Sequence, residues 1–106
     1  MPETRALKIL TADQWRQFQC DGVFAGAPVD LADGYIHLST AAQVAETAQK
    51  HFAGQAGLFL ATIDLAVLGD AIVWEPSRGG QLFPHCYGVL PISAVMEAVE
   101  MDGTRG

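Results

Sequence analysis

The chain has 106 residues, half of them hydrophobic, and a formal net charge of −6 from 12 acidic and 6 basic side chains. This profile describes one domain across residues 1–106, with a core from about residue 6 to 101, and excludes a disordered or multi-domain chain. The acidic balance and scattered Lys and Arg oppose attachment to nucleic acid or an anionic membrane, and no apolar run approaches the roughly 18 residues that span a bilayer.

Residues 6–10 read as an opening strand, and Thr11 with Gln14 three positions later forms a capping-box pattern for a helix over about 11–20. Leu10 and Trp15 occupy the two positions of a hydrophobic staple, and Trp15 shares a helical face with Phe18, which assigns both aromatics to the core. Residues 21–33 carry Gly22, Gly26 and Pro28 without a sustained period and are expected to form a loop that could act as a flap. Residues 35–38 then form a short strand with Tyr35 and His37 on one face and Ile36 and Leu38 on the other.

Ser39 and Thr40 follow as helix caps, and Thr40 with Gln43 repeats the capping-box spacing ahead of a helix that runs to about Phe52. Its apolar stripe is Ala41, Val44, Ala45, Ala48 and Phe52, with Glu46, Gln49 and Lys50 opposite and Gly54 available to end it. His51 lies in the last turn, where it complements the helix dipole and has a surface role. Residues 58–64 are a nearly continuous apolar run, the pattern of a central strand covered on both faces. A turn over 65–69, a strand over 71–75 closed by Pro76, and a half-buried strand over 95–101 complete the elements, with frayed ends at 1–4 and 103–106.

Chemistry-bearing residues gather in two segments, 33–40 and 74–88. His37 lies on a strand that leads toward a helix N-terminus, a place that favours an anionic ligand; the alternative is a core histidine bonded to backbone. Tyr35, on the same face, suits ring stacking or ordinary strand packing. The stretch 77–80 lacks P-loop or dinucleotide spacing, but Gly79 and Gly80 permit close backbone approach and Arg78 supplies a forked donor for an anion; a surface turn explains it equally. Alternation puts His85 and Tyr87 on one face and Cys86 on the other, which argues against a metal site and against a Cys-His nucleophile pair. Glu75 is the best-placed carboxylate for acid–base work, with structural pairing to Arg78 as the alternative. Cys20 and Cys86 lack framework spacing and read as free thiols, and no basic stretch runs into an apolar one at the start, so a cytoplasmic protein is expected.

DGYIHLST at 33–40, WEPSRGG at 74–80 and LFPHCYG at 82–88, followed by Leu90-Pro91, resemble in that order a small bacterial family known as domain of unknown function nine-fifty-two. The resemblance runs over about residues 7–101. That family is in turn remotely similar to the NAD-using ADP-ribosyltransferase superfamily and its RNA 2'-phosphotransferase branch. The implied fold is a compact α+β domain with a mixed split β-sheet, two main helices and an NAD cleft. In that superfamily an early-strand histidine contacts the adenine-proximal ribose, and His37 is the matching position.

No carboxylate here matches the late-strand catalytic glutamate of many transferases, and Arg78 is the one arginine placed to serve as those of the phosphotransferase branch do. The resemblance thus implies cleavage of the nicotinamide–ribose bond and ADP-ribosyl transfer from NAD, with no metal. On that expectation His37, Arg78 and His85, with Glu75 as a fallback electrostatic partner, form the catalytic group, and Tyr35, His37, Ser39, Thr40, Arg78, Gly79, Gly80 and Tyr87 surround the nucleotide. A noncatalytic small-molecule or nucleotide binding module on the same fold is the alternative, and a purely structural role for the two histidines is a third.

Overall fold

Three antiparallel sheets organise the chain in the computed structural model, which describes residues 4–76 and 78–101 apart from the Arg78 side chain. Strand β4 (Phe59–Asp64) lies between β1 (Arg5–Leu10) and β8 (Val95–Glu100), and β6 (Leu82–Cys86) lies between β3 (Ile36–His37) and β5 (Ile72–Pro76). A third, two-stranded sheet joins β2 (Val23–Phe24) to β7 (Leu90–Pro91). Leu7 and Ser39 exchange both backbone hydrogen bonds, at 2.7 and 2.9 Å, while Leu38 donates to the Pro84 carbonyl at 3.1 Å. Residues 36–39 therefore bond to β6 on one side and to β1 on the other, which joins the two larger sheets. The expected mixed sheet is corrected: every strand pair among the described residues is antiparallel, although most neighbouring strands are far apart in sequence.

The first helix, α1 (Ala12–Asp21), forms as its sequence dictates. Thr11 accepts from the Gln14 N–H at 3.0 Å and Gln14 returns a bond to the Thr11 N–H at 2.9 Å, satisfying two donors that a helix start leaves free. Gly22 adopts φ 77° and ends the helix with its N–H on the Phe18 carbonyl, a geometry a side chain would strain. Phe18 is buried, meeting Trp15 edge-on at 5.7 Å and Phe24 at 5.7 Å between ring centroids.

The stretch expected as a loop holds β2 and a second helix, α2 (Pro28–Asp33). Pro28 fits the first helical turn because its ring presets φ, and Asp30 accepts the Ala27 N–H at 2.8 Å in place of a conventional cap. Apolar periodicity could not reveal this helix, because its one buried residue is Asp30.

Helix α3 (Val44–Phe52) starts later than expected: residues 41–43 form a turn, and the Gln43 side chain closes it by accepting the Thr40 N–H at 3.0 Å. None of its residues is fully buried, and Ala41 and Ala45 of the expected stripe are exposed. The helix covers a cavity instead of sealing the core, and its Thr47, His51 and Phe52 line that cavity. α4 (Leu65–Leu68) is the expected turn after β4.

β4 is central, with Ala61 and Ile63 buried, although its other face is only half-buried rather than covered. β5 includes Pro76, which an edge strand tolerates because the missing N–H leaves no ladder bond broken. The core gathers Leu10, Phe18, Ile36, Leu38, Ile63 and Leu90, with Cys86 buried among them as a free thiol and Cys20 free and exposed. Among the described residues no helix is long and apolar enough to cross a membrane.

Phe18→Ala removes the ring that Trp15 and Phe24 pack against. It is expected to cost about 3–5 kcal/mol of a total stability of roughly 5–15 kcal/mol, read as a large fall in the urea midpoint.

Candidate functional site

Asp30 lies 1% exposed at the meeting point of β1, α2 and β3. Lys8 reaches its two oxygens at 3.1 and 3.3 Å, the backbone N–H groups of Ala27 and His37 donate at 2.8 and 3.0 Å, and His37 Nδ1 stands 2.6 Å from Oδ1. Lys8 also donates to the His37 carbonyl at 3.0 Å. Burial alone would raise the Asp30 pKa. The His37 hydrogen bond, the Lys8 charge and the two backbone donors together outweigh it and hold the carboxyl at about 2. Burial lowers the Lys8 pKa, with Asp30 opposing that shift.

The other ring nitrogen of His37, Nε2, lies 2.9 Å from Oδ2 of the exposed Asp33. Each ring nitrogen of His37 therefore faces one carboxylate, Nδ1 that of Asp30 and Nε2 that of Asp33, which fixes the ring in orientation. Asp30 and Asp33 sit three positions apart on α2, which places both carboxylates toward β3.

A second cluster covers the same face of the β3–β6–β5 sheet. His37 and His85 are register partners across β3 and β6, with ring centroids 5.6 Å apart. His85 Nδ1 stands 2.6 Å from Glu75 Oε1 on β5, and the Tyr87 hydroxyl donates to both Glu75 oxygens at 2.8 and 3.1 Å. Tyr35 stacks on His85 with centroids 4.0 Å apart and planes 22° from parallel, and lies 4.7 Å from the His37 ring. The His85 and Tyr87 hydrogen bonds hold the Glu75 pKa down, and the bond to Glu75 in turn raises that of Tyr87. Burial, then the charges of Asp33 and Glu75, raise the Tyr35 hydroxyl. Cys86 points to the opposite, apolar face, where burial raises its thiol pKa.

A cavity of about 550 Å³ opens beside these clusters, within the range that holds a small ligand. His37, Ser39 and His85 of the expected site residues line it. Tyr35, Glu75 and Tyr87 stand behind His85 and do not line it, nor do Thr40, Gly79 and Gly80. Gly79 and Gly80 do take positive φ, 66° and 78°, in the turn between β5 and β6. Ser77 and the Arg78 side chain lie outside the described residues, so the expected Arg78–Glu75 pairing does too; Glu75 is engaged by His85 and Tyr87. His37 does not lead directly into a helix N-terminus, because Ser39 bridges to Leu7 and a turn intervenes before α3. His51, read as a surface residue, is exposed and also lines the cavity.

Sequence reasoning passed over Asp30, Asp33 and Lys8. One signal was present: Pro28 followed by Asp30 is the pattern of a helix start, with proline in the first turn and an acid reaching back. No local pattern announces Lys8, which looks like an ordinary outward residue of a strand.

Asp30→Asn leaves Lys8 buried without a charged partner and is expected to cost about 3–5 kcal/mol at neutral pH. The folded-state pKa of about 2 lies below the unfolded value of roughly 3.9, so the carboxylate adds stability, about 2 kcal/mol, that is complete above that unfolded value. It is lost as pH falls through the folded value. The gap between wild-type and Asp30→Asn urea midpoints is therefore expected to shrink from about pH 4 toward pH 2, and a gap independent of pH would contradict this account.

Three comparisons with known proteins place this geometry. A family model described as a protein of unknown function (DUF952) matches residues 9–98. The crystal structure of CC0527 from Caulobacter crescentus is similar to this chain with a TM-score of 0.90 and 45% identity, covering 93% of this chain and 87% of that one. The solution NMR structure of the same protein gives a TM-score of 0.83 at 45% identity, covering 94% and 86%. Among proteins of curated function none matches. With nearly the whole domain matched in both sequence and structure, the chain belongs to the DUF952 family of proteins of unknown function.

Proposed function

We propose that the cavity binds NAD or a closely related nucleotide and that the protein cleaves the nicotinamide–ribose bond. The observation that carries this reading is the His37–Asp33 pair on the cavity wall. His37 Nε2 presents an N–H and Asp33, 2.9 Å away, presents an acceptor. A ribose diol suits such a pair: one hydroxyl oxygen accepts from the imidazole while the neighbouring hydroxyl donates to the carboxylate. Asp33 is exposed and free to shift, whereas Asp30 locks the other side of the ring. The resemblance of the sequence motifs to NAD-using transferases implies a ribose contact for the same histidine.

Bond cleavage develops positive charge on the nicotinamide ribose, and placing that ribose, rather than the adenine-proximal one of the transferase resemblance, at His37 and Asp33 sets a lining carboxylate beside it. The apolar walls contributed by Leu7, Ile9, Leu38, Phe52 and Phe83 exclude water from the rings and strengthen that interaction. No metal takes part, and the free thiols of Cys20 and Cys86 suit a cytoplasmic setting.

A second reading, a noncatalytic module for an uncharged metabolite, is favoured by one feature. Lys8 is the only lysine or arginine among the described lining residues, and it is committed to Asp30.

Thermal unfolding with and without NAD separates the two. Ligand at ~100 times its Kd adds about 2.7 kcal/mol, a rise of roughly 10 °C or more in Tm for a domain of this size. That rise is expected in the wild type and not in His37→Ala, each variant compared with its own unliganded melt. No rise at millimolar NAD would favour the second reading.

A further inference from the structure

His85 combines burial with an unused hydrogen-bonding atom. It is 3% exposed, its Nδ1 is engaged by Glu75 at 2.6 Å, and among the described residues its Nε2 has no partner. His85 lines the cavity, and with Nδ1 taken by Glu75 its Nε2 is the ring atom left to serve a ligand there. A carboxylate accepting at Nδ1 holds the proton there and leaves the lone pair on Nε2. The stacked Tyr35 ring, 4.0 Å away, fixes the imidazole plane, and Tyr87 fixes Glu75 by donating to both of its oxygens. A buried, oriented imidazole with a free acceptor in a cavity is the arrangement of a general base.

We propose that His85 activates water, making the protein an NAD hydrolase, with Glu75 and Tyr87 as positioning residues. The inference rests on the NAD reading above and adds the acceptor. Nε2 takes a proton from a water molecule and the water oxygen bonds to the ribose carbon. The carbon–nitrogen bond breaks, its electron pair passing to the nicotinamide nitrogen and cancelling the positive charge there. NAD and water give ADP-ribose, nicotinamide and one proton, which leaves His85 for solvent, so no oxidant, reductant or further reactant is needed. Water is the acceptor that fits, since it is the smallest nucleophile and a side chain as buried as His85 leaves no room for a macromolecular one.

The test measures nicotinamide released from millimolar NAD alongside the NAD-induced rise in Tm. Wild type is expected to release nicotinamide faster than buffer alone. His85→Gln should keep the rise in Tm and lose about 10²–10⁴-fold in kcat, the usual contribution of a general base. Glu75→Gln, a half-buried position where misfolding is not at issue, should lower kcat by a smaller factor with KM unchanged. Added imidazole should restore turnover to His85→Ala, which a purely structural histidine would not allow.

A rise in Tm without nicotinamide release in the wild type overturns the hydrolase inference and leaves the binding reading intact. Turnover by His85→Gln at the wild-type rate overturns the role of His85. Neither binding nor release in the wild type removes both readings together.

Discussion

A single buried carboxylate holds the site together. Asp30 receives a lysine from β1, a backbone donor from the start of its own helix, and both the backbone and the ring of His37 from β3. Net stability is not what such a pair chiefly contributes, since an apolar replacement of both partners often serves as well, whereas removing one partner strands the other. Its consequence is geometric. With all its acceptor sites taken, Asp30 allows one placement of α2 against β1 and one orientation of the His37 imidazole, and Asp33 is carried to the opposite side of that ring by the same helix.

The second organising feature is the alternation of the β3–β6–β5 sheet. Its one face carries Ile36 and Cys86 into the core, and its other face carries Tyr35, His37, His85 and Tyr87, held by cross-strand contacts rather than by an apolar layer. A polar sheet face of this kind needs either solvent or a ligand above it. Here α3 arches over it without sealing it, which accounts for an amphipathic helix with no fully buried residue and for a cavity bounded by all three histidines of the chain.

The two clusters differ in what they leave available. His37 is saturated, with a carboxylate at each ring nitrogen, and can bind a hydroxyl only as Asp33 yields its place. His85 is anchored at one nitrogen and open at the other. Two imidazoles 5.6 Å apart with such different surroundings suit different tasks, and the proposed reaction assigns the sugar to one and the proton to the other.

Local chemistry was readable wherever a few neighbouring residues decide the outcome. Thr11 and Gln14 cap α1 as their spacing requires, and strand alternation alone puts Tyr35 with His37, His85 with Tyr87, and Cys86 on the reverse face. The same reasoning mistook α2 for a loop because that helix buries a charge instead of an apolar stripe, and it started α3 early because Thr40 and Gln43 close a turn with the spacing of a cap. Strand direction, the bridge from Leu7 to Ser39, the Lys8–Asp30 pair across 22 residues and the Glu75–His85 contact across 10 belong to the tertiary structure. The sequence by itself determined which side chains share a face, since backbone geometry repeats every two or every 3.6 residues. Only the tertiary structure decided which faces meet, because a buried charge is tolerated solely where distant partners arrive together to satisfy it.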